Sequence, residues 1–349
     1  MNFASDNWAG AHPAIAEALS AHAAGHARAY GDSELDQAVR AKLSAIFERE
    51  VSVFFVATGT AANGLSLASV ARPGGVAFAH REAHLIEDEG GAPEFLTGGA
   101  RICPVDGAMG RIDTEKLEAA IHRYPPEFIH AGQPMAVSIT QATEIGTIYS
   151  LDEILALAGV CRSHGLPLHM DGARFANAMV ALECTPAEMT WKAGVDLLSF
   201  GATKNGCWCA EAIVVLNPDI AADLPFLRKR AAQLFSKSRF IAAQFDAYLT
   251  DDLWLKTARH ANRMAERLAA HIDSAPQLRL AWKPEANEVF AIMPEAMHEQ
   301  LQAAGVSFYP WHPPKGFDGG MAEGKILTRF VTSFATTETE VDSFGEVIR

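Results

Sequence analysis

The hydrophobic pattern changes period repeatedly along the chain, and each change predicts an element. After Ser33-Glu-Leu-Asp36, a capping-box sequence, Leu35, Val39, Leu43, Ile46 and Phe47 recur on one face and predict a helix. Val51 to Ala57 is a nearly continuous apolar run, as expected of a strand covered on both faces. Thr58-Gly-Thr-Ala-Ala-Asn-Gly64 turns into a helix reaching about Ala71, where Arg72-Pro-Gly-Gly75 stops it. Short strands are predicted at Gly75 to Ala79 and Arg101 to Val105, and Asp113 caps a helix through Arg123. Phe128 to His130 and Ala136 to Thr140 read as a strand region interrupted by Gly132 and Pro134. A second capping box, Ser150 to Glu153, opens a helix with Ile154, Leu155, Leu157, Ala158 and Cys161 as its apolar positions. Leu166 to Met170 and Asp196 to Phe200 are two further strands, and Glu211 to Leu216 is the next.

This alternation predicts an α/β fold, a mostly parallel sheet between helices. Long helices follow from Pro225 to Ala275. Shorter strands then appear at Leu278 to Trp282, Val289 to Ile292 and Ile326 to Phe334, around a helix near Glu295 to Ala304. The shift predicts a large domain over 1–249, N-terminal segment included, and a small C-terminal α+β domain over 250–349.

Composition narrows the class. The formal charge of −13 argues against a nucleic-acid binder, since phosphate contacts need clustered cations. No apolar stretch reaches membrane-span length, and the first residues lack a signal-peptide pattern. Five scattered cysteines read as reduced thiols in a cytoplasmic protein. Cys207-Trp-Cys209 is too short for a zinc knuckle and has no partner pair, so no metal is expected.

The chemistry gathers at strand ends, where open α/β sheets bind ligands. One apolar run ends in Asp171 within His169-Met-Asp-Gly-Ala-Arg174, and another leads to Lys204 within Phe200-Gly-Ala-Thr-Lys-Asn-Gly206. An aldehyde cofactor with a ring nitrogen needs both groups, the amine for a Schiff base and the carboxylate for the pyridinium. Gly59 and Thr60 open a helix whose free N–H groups form an anion site. Their loop has neither the GxGxxG nor the Walker spacing. His84 follows a strand end, where an imidazole can stack on a planar cofactor or move a proton. His130 has the same status if it lies beyond a strand rather than within one. Arg174, three residues after Asp171, either pairs with it or binds a substrate carboxylate. Arg329, in an otherwise apolar strand, either meets an acid or binds a ligand.

With these residues in view, the chain resembles the low-specificity L-threonine aldolases, pyridoxal-phosphate enzymes of fold type I. The resemblance runs over nearly the whole chain. It is carried by Ser5-Asp6, Ala29-Tyr-Gly-Asp32, Thr58-Gly-Thr-Ala-Ala-Asn63, His84 with Glu87-Asp-Glu-Gly90, His169 to Arg174, the Lys204 segment and Arg329. It implies pyridoxal 5'-phosphate on Lys204, with Asp171 on the ring nitrogen, Gly59 and Thr60 on the phosphate and His84 stacked on the ring. It also implies that Ser5, Arg174 and Arg329 bind the amino-acid carboxylate, and that His130 lies near the substrate hydroxyl. The implied reaction is retro-aldol cleavage of L-threonine, L-allo-threonine or a phenylserine-like substrate, with His84 or a water it orders as base. The implied assembly is a homodimer or homotetramer with sites at subunit interfaces. A β-eliminating lyase or aminotransferase on the same scaffold is the alternative, and a non-catalytic cofactor-binding protein a third.

Two departures stand out. Some relatives carry Glu-Asn-Thr-His-Asn after the middle strand, where this chain has Gln141-Ala-Thr-Glu-Ile145. Relatives also send a lysine to a neighbouring subunit's phosphate, for which Lys229, Arg230 and Lys237 are the candidates here.

Overall fold

A computed structural model describes residues 1–220 and 222–349. Seven strands form the larger sheet: β1 (Ser52–Val56), β2 (Gly75–His80), β3 (Arg101–Val105), β4 (Gln133–Thr140), β5 (Leu168–Gly172), β6 (Leu197–Gly201) and β7 (Glu211–Val215). Their spatial order is β1-β7-β6-β5-β4-β2-β3. The five strands from β6 to β3 run parallel, whereas β7 is antiparallel to both β1 and β6. The mostly parallel α/β sheet expected from the sequence is therefore present.

The apolar runs are continuous because both faces are covered. Val56, Leu197, Ile213 and Val215 pack with Ala61 and Leu65 of the helix Gly59–Ser69. Phe55, Leu198, Phe200, Ala212 and Val214 face a larger core built with the helices Glu34–Ile46, Leu151–Ser163 and Arg239–Leu249. Successive residues of β6 and β7 thus alternate between two buried faces, which leaves no place for a polar stripe. At about 25 cal/mol per Å² of apolar area removed from water, this core is the main favourable term in folding.

A second sheet holds β8 (Arg279–Leu280), β9 (Glu288–Pro294), β10 (Tyr309–Trp311) and β11 (Lys325–Val331), in the order β10-β11-β9-β8, all antiparallel. The helix Leu253–Ser274 links the two units, with Trp254 and Ala258 in the larger core and Met264 to Ile272 in the smaller one. The N-terminus also reaches the smaller unit. Phe3 is fully buried against Phe330 and Phe344, and its carbonyl accepts the Val331 N–H at 2.8 Å.

Several boundaries differ from the sequence pattern. Phe128 to His130 form a turn outside the sheet, and β4 begins only at Gln133. Pro125 and Pro126 precede that turn and cannot donate to a ladder. Pro134 enters β4 as its second residue, and the β2–β4 register shifts beside it, between Val76 and Ala77. The missing Pro134 N–H accounts for the irregularity. The helix Pro13–Ala21 and strand β10 carry no clear period in the sequence and come from tertiary packing.

Candidate active site

Asp171 is the penultimate residue of β5, level with Thr140 of β4 and Ser199 of β6. Its carboxylate is almost wholly buried and held at both oxygens. Oδ1 accepts the Ala173 N–H at 3.0 Å, and Oδ2 accepts the Asn63 amide at 2.7 Å. The second hydrogen of that amide goes to Glu89 Oε1 at 2.8 Å. The same Glu89 oxygen contacts His84 Nδ1 at 3.0 Å. Asp171, Asn63, Glu89 and His84 therefore form one hydrogen-bonded chain. The Glu89 hydrogen bond, working against burial, raises the His84 imidazole above its ordinary value. With Nδ1 donating to a carboxylate, Nε2 is left as the basic nitrogen of neutral His84.

His169, two residues before Asp171, bridges Ser138 and Ser199 at 2.9 Å each. Burial lowers its imidazole to about 4, so it is a neutral core group at physiological pH.

Lys204 sits in the single turn Thr203–Asn205 just after β6. Asn205 anchors that turn by donating to the Tyr248 hydroxyl at 2.7 Å and the Trp254 carbonyl at 2.8 Å. Gly201, which ends β6, lies against the Ala173 backbone, where a Cβ would come within 2.8 Å of Ala173 Cα. Only glycine lets the Lys204 strand approach the Asp171 strand this closely.

The helix Gly59–Ser69 supplies the third wall. Thr58 caps it, its side chain accepting from Ala61 N at 3.1 Å and its carbonyl from Ala62 N at 3.1 Å. The N–H groups of Gly59 and Thr60 belong to the first turn, which has no intrahelical acceptors. Together these walls enclose a cavity of about 240 Å³ bordered by Gly59, Thr60, His84, Asp171 and Lys204. Larger surface clefts exist, but they hold none of these groups. Five residues singled out in the sequence thus meet in one space.

Two further carboxyls line it. Glu211 begins β7, opposite Val56 and Gly201, and accepts the Thr203 N–H at 3.4 Å. Burial pushes its carboxyl up to about 7, even with Lys204 nearby. Glu144, in the loop after β4, is also raised by burial, against the pull of Lys204, His84 and Arg174. An anion at the helix N-terminus is compatible with these acids because burial favours their neutral forms.

The remaining candidates lie elsewhere. Arg174 does not pair with Asp171. The chain between them is not helical, and the helix starts only at Phe175. Its guanidinium instead meets Asp6 at 2.8 and 3.1 Å and Glu288 at 3.4 Å. Burial opposes the charge on Arg174, but Asp6 and Glu288 outweigh it. Arg329 also meets an acid, Glu288 at 3.6 Å, with its guanidinium 4.1 Å from the Trp311 ring centre. Ser5 caps the short turn Asp6–Trp8, its Oγ accepting from Asn7 N at 3.1 Å, and Asn7 rather than Ser5 borders the cavity. His130 is exposed and precedes β4, at the opposite end of the sheet from Asp171. It therefore does not join His84 within its own chain, because the predicted strand there is a turn. Lys229 lies over the Tyr30 ring at 5.5 Å.

Sequence reasoning assigned no role to Asn63, Glu89, Glu144, Glu211, Asp6 or Glu288. Glu211 and Glu288 each begin an apolar strand, so neither carried the signal that found Asp171, an acid closing an apolar run. Glu89 and Asp6 appeared only within segments that carry the resemblance, which named no partner for either.

A sheet of this topology with a lysine, an aspartate and a helix N-terminus at one strand-end pocket has the layout of an α/β enzyme. The chain belongs to the beta-eliminating lyase family, whose sequence profile matches residues 2–296. It is 42% identical to a low specificity L-threonine aldolase of Pseudomonas aeruginosa over 310 residues, 88% of this chain and 89% of that one. It is 39% identical to another from a Pseudomonas species, over 100% of this chain and 97% of that one. The Leishmania major threonine aldolase structure superposes with a TM-score of 0.91 at 28% identity, covering 99% of this chain and 98% of that one. A serine palmitoyltransferase solved with PLP, at 16% identity and a TM-score of 0.68, shares the fold.

Two outcomes follow from the buried charges. Glu288→Gln leaves two buried guanidiniums short of one counter-charge, and denaturant melts should show a loss of about 3 kcal/mol. A loss within error would mean that Glu288 does not balance them. Glu211 keeps a proton when folded, at about 7, that the unfolded chain releases near 4.5. Its contribution to stability therefore falls as pH rises through that window, by roughly 3 kcal/mol in all. In cofactor-free protein, Glu211→Gln should flatten the decline between pH 5 and pH 8, and an unchanged slope would refute the assignment.

Proposed function

We propose that this protein cleaves L-threonine, L-allo-threonine and related β-hydroxy-α-amino acids to glycine and an aldehyde, using pyridoxal 5'-phosphate. The observation that carries this reading is the convergence of Lys204, Asp171, His84 and the Gly59–Thr60 helix start on one cavity, in a chain related to threonine aldolases over most of its length.

The residues present fit the cofactor. Lys204 would hold its aldehyde carbon, and Gly59 and Thr60 its phosphate, with Asp171 on the ring nitrogen and His84 against the ring. Asp171 is oriented for that task by Asn63 and Ala173, so its carboxylate needs no rearrangement. When bound, the cofactor supplies an electron sink beside the substrate Cα.

His84 Nε2 takes the β-hydroxyl proton while Nδ1 stays on Glu89. The Cα–Cβ bond then breaks, the aldehyde leaves, and a proton returned to Cα gives glycine. Arg329 takes the substrate carboxylate, as the less committed of the two arginines. Its Nε is buried without a partner, and its contact with Glu288 is long. Arg174 is already held at two nitrogens by Asp6 and acts as its support. Ser5 sets the turn that brings Asn7 to the cavity. The Glu144 loop borders the pocket and shapes the space for the β-substituent. A cytoplasmic homodimer or homotetramer completes the reading, with a basic residue such as Lys229, Arg230 or Lys237 reaching a neighbour. Among the described residues, no helix is long and apolar enough to cross a membrane.

The purified protein should show the absorbance band of lysine-bound pyridoxal phosphate and release glycine plus aldehyde from threonine. Lys204→Ala should lose both. A colourless wild type, or a Lys204→Ala variant with normal turnover, would overturn the proposal. Pyruvate and ammonia as products would instead assign β-elimination, and a coloured protein without turnover would assign mere cofactor binding. His84→Asn should cut kcat by about a hundredfold or more. Glu89→Gln removes the group that raises the His84 imidazole, so the acidic limb of kcat/KM should move to lower pH. An unmoved limb would take His84 out of the base role.

A further inference from the structure

Away from the pocket, the helices Thr114–His122 and Leu151–Ser163 pack side by side and bring three metal-binding side chains together. Glu118 and His122 lie one turn apart on the first helix. His164 is the C-terminal cap of the second. The distance from His164 Nε2 to Glu118 Oε1 is 3.0 Å, and that from His122 Nε2 to the same oxygen is 3.9 Å. One ligand atom from each of the three lies within 4.8 Å of the others. Among the described residues, no other trio of His, Cys, Asp or Glu meets that condition.

From this geometry we propose that Glu118, His122 and His164 form a divalent transition-metal site, with Zn²⁺ as its natural probe. A tetrahedral zinc with bonds near 2.0 Å places its ligand atoms about 3.3 Å apart. The observed separations straddle that value, so small side-chain rotations suffice. Two imidazoles and one carboxylate select zinc, cobalt, nickel or copper over calcium and magnesium, which prefer all-oxygen sites. Three protein ligands leave a fourth position to water.

The helix ends add to the case. His122 is the last residue of its helix, and His164 caps the other. Both sit where exposed carbonyls and the helix dipole favour a cation. The hydrogen bond that now joins His164 to Glu118 is partly exposed, and such pairs are worth little, so a metal displaces it at small cost. A bound ion would clip the two helices together. The second of them leads through Leu166 and Pro167 into β5, which carries Asp171. Sequence spacing concealed the site because its third ligand lies on another helix, more than forty residues beyond the first two.

The test is titration of the tag-free, cofactor-loaded protein with ZnCl2 by calorimetry, repeated with CoCl2 by absorbance. The expected result is one ion per chain with a Kd of about 10 µM or tighter, a tetrahedral-intensity cobalt band, and a higher Tm with zinc. His122→Ala and His164→Ala should each weaken binding about tenfold or more, with turnover unchanged. His122 is exposed and His164 half-buried, and circular dichroism would verify that the variants fold. Absence of saturable binding below about 1 mM, or binding that survives both substitutions, would overturn the site.

Discussion

The two hydrogens of one buried amide hold the candidate site together. Asn63 gives one to Asp171 and the other to Glu89, and Glu89 in turn holds His84. An aspartate at a strand end and a histidine after another strand are thereby locked to one helix. That helix is the same Gly59–Ser69 segment whose first turn faces the cavity. Its placement against β6 and β7 by Ala61, Ala62 and Leu65 therefore sets the anion site, the carboxylate and the imidazole at once. Small residues at Ala61 and Ala62 allow the close approach, so packing and chemistry depend on the same few positions.

The electrostatics follow from burial. The cavity holds Lys204 among Asp171, Glu144 and Glu211, more acid than base. It tolerates that excess because desolvation raises Glu144 and Glu211 and favours their protonated forms. Asp171 accepts hydrogen bonds from Asn63 and Ala173 at its two oxygens.

Outside the cavity, Arg174 joins three distant parts of the chain. It follows β5 of the larger sheet, Asp6 comes from the N-terminus, and Glu288 begins β9 of the smaller sheet. Arg329 on β11 leans on the same glutamate. Buried ion pairs are weak sources of net stability, since desolvation offsets their attraction. Their contribution here is orientation, because a smaller sheet displaced from this position would leave buried charges unpaired.

The sequence by itself determined the strands of the larger sheet, the capped helices, and the strand-end residues Asp171, Lys204, Gly59 and Thr60. These are encoded by contiguous signals, an apolar run followed by a polar break, so covalent spacing suffices to find them. It misread Phe128 to His130, because a Phe-Ile pair looks like part of a strand until prolines and exposure are counted. It also left open what Arg174 and Arg329 would meet. Only the tertiary structure could say, since Asp6 lies 168 residues from Arg174 and the shared Glu288 belongs to another sheet. The same holds for Glu144, Glu211 and the Glu118, His122 and His164 cluster. A side chain's type is local, but its partner, its burial and therefore its charge depend on which distant segment the fold sets beside it.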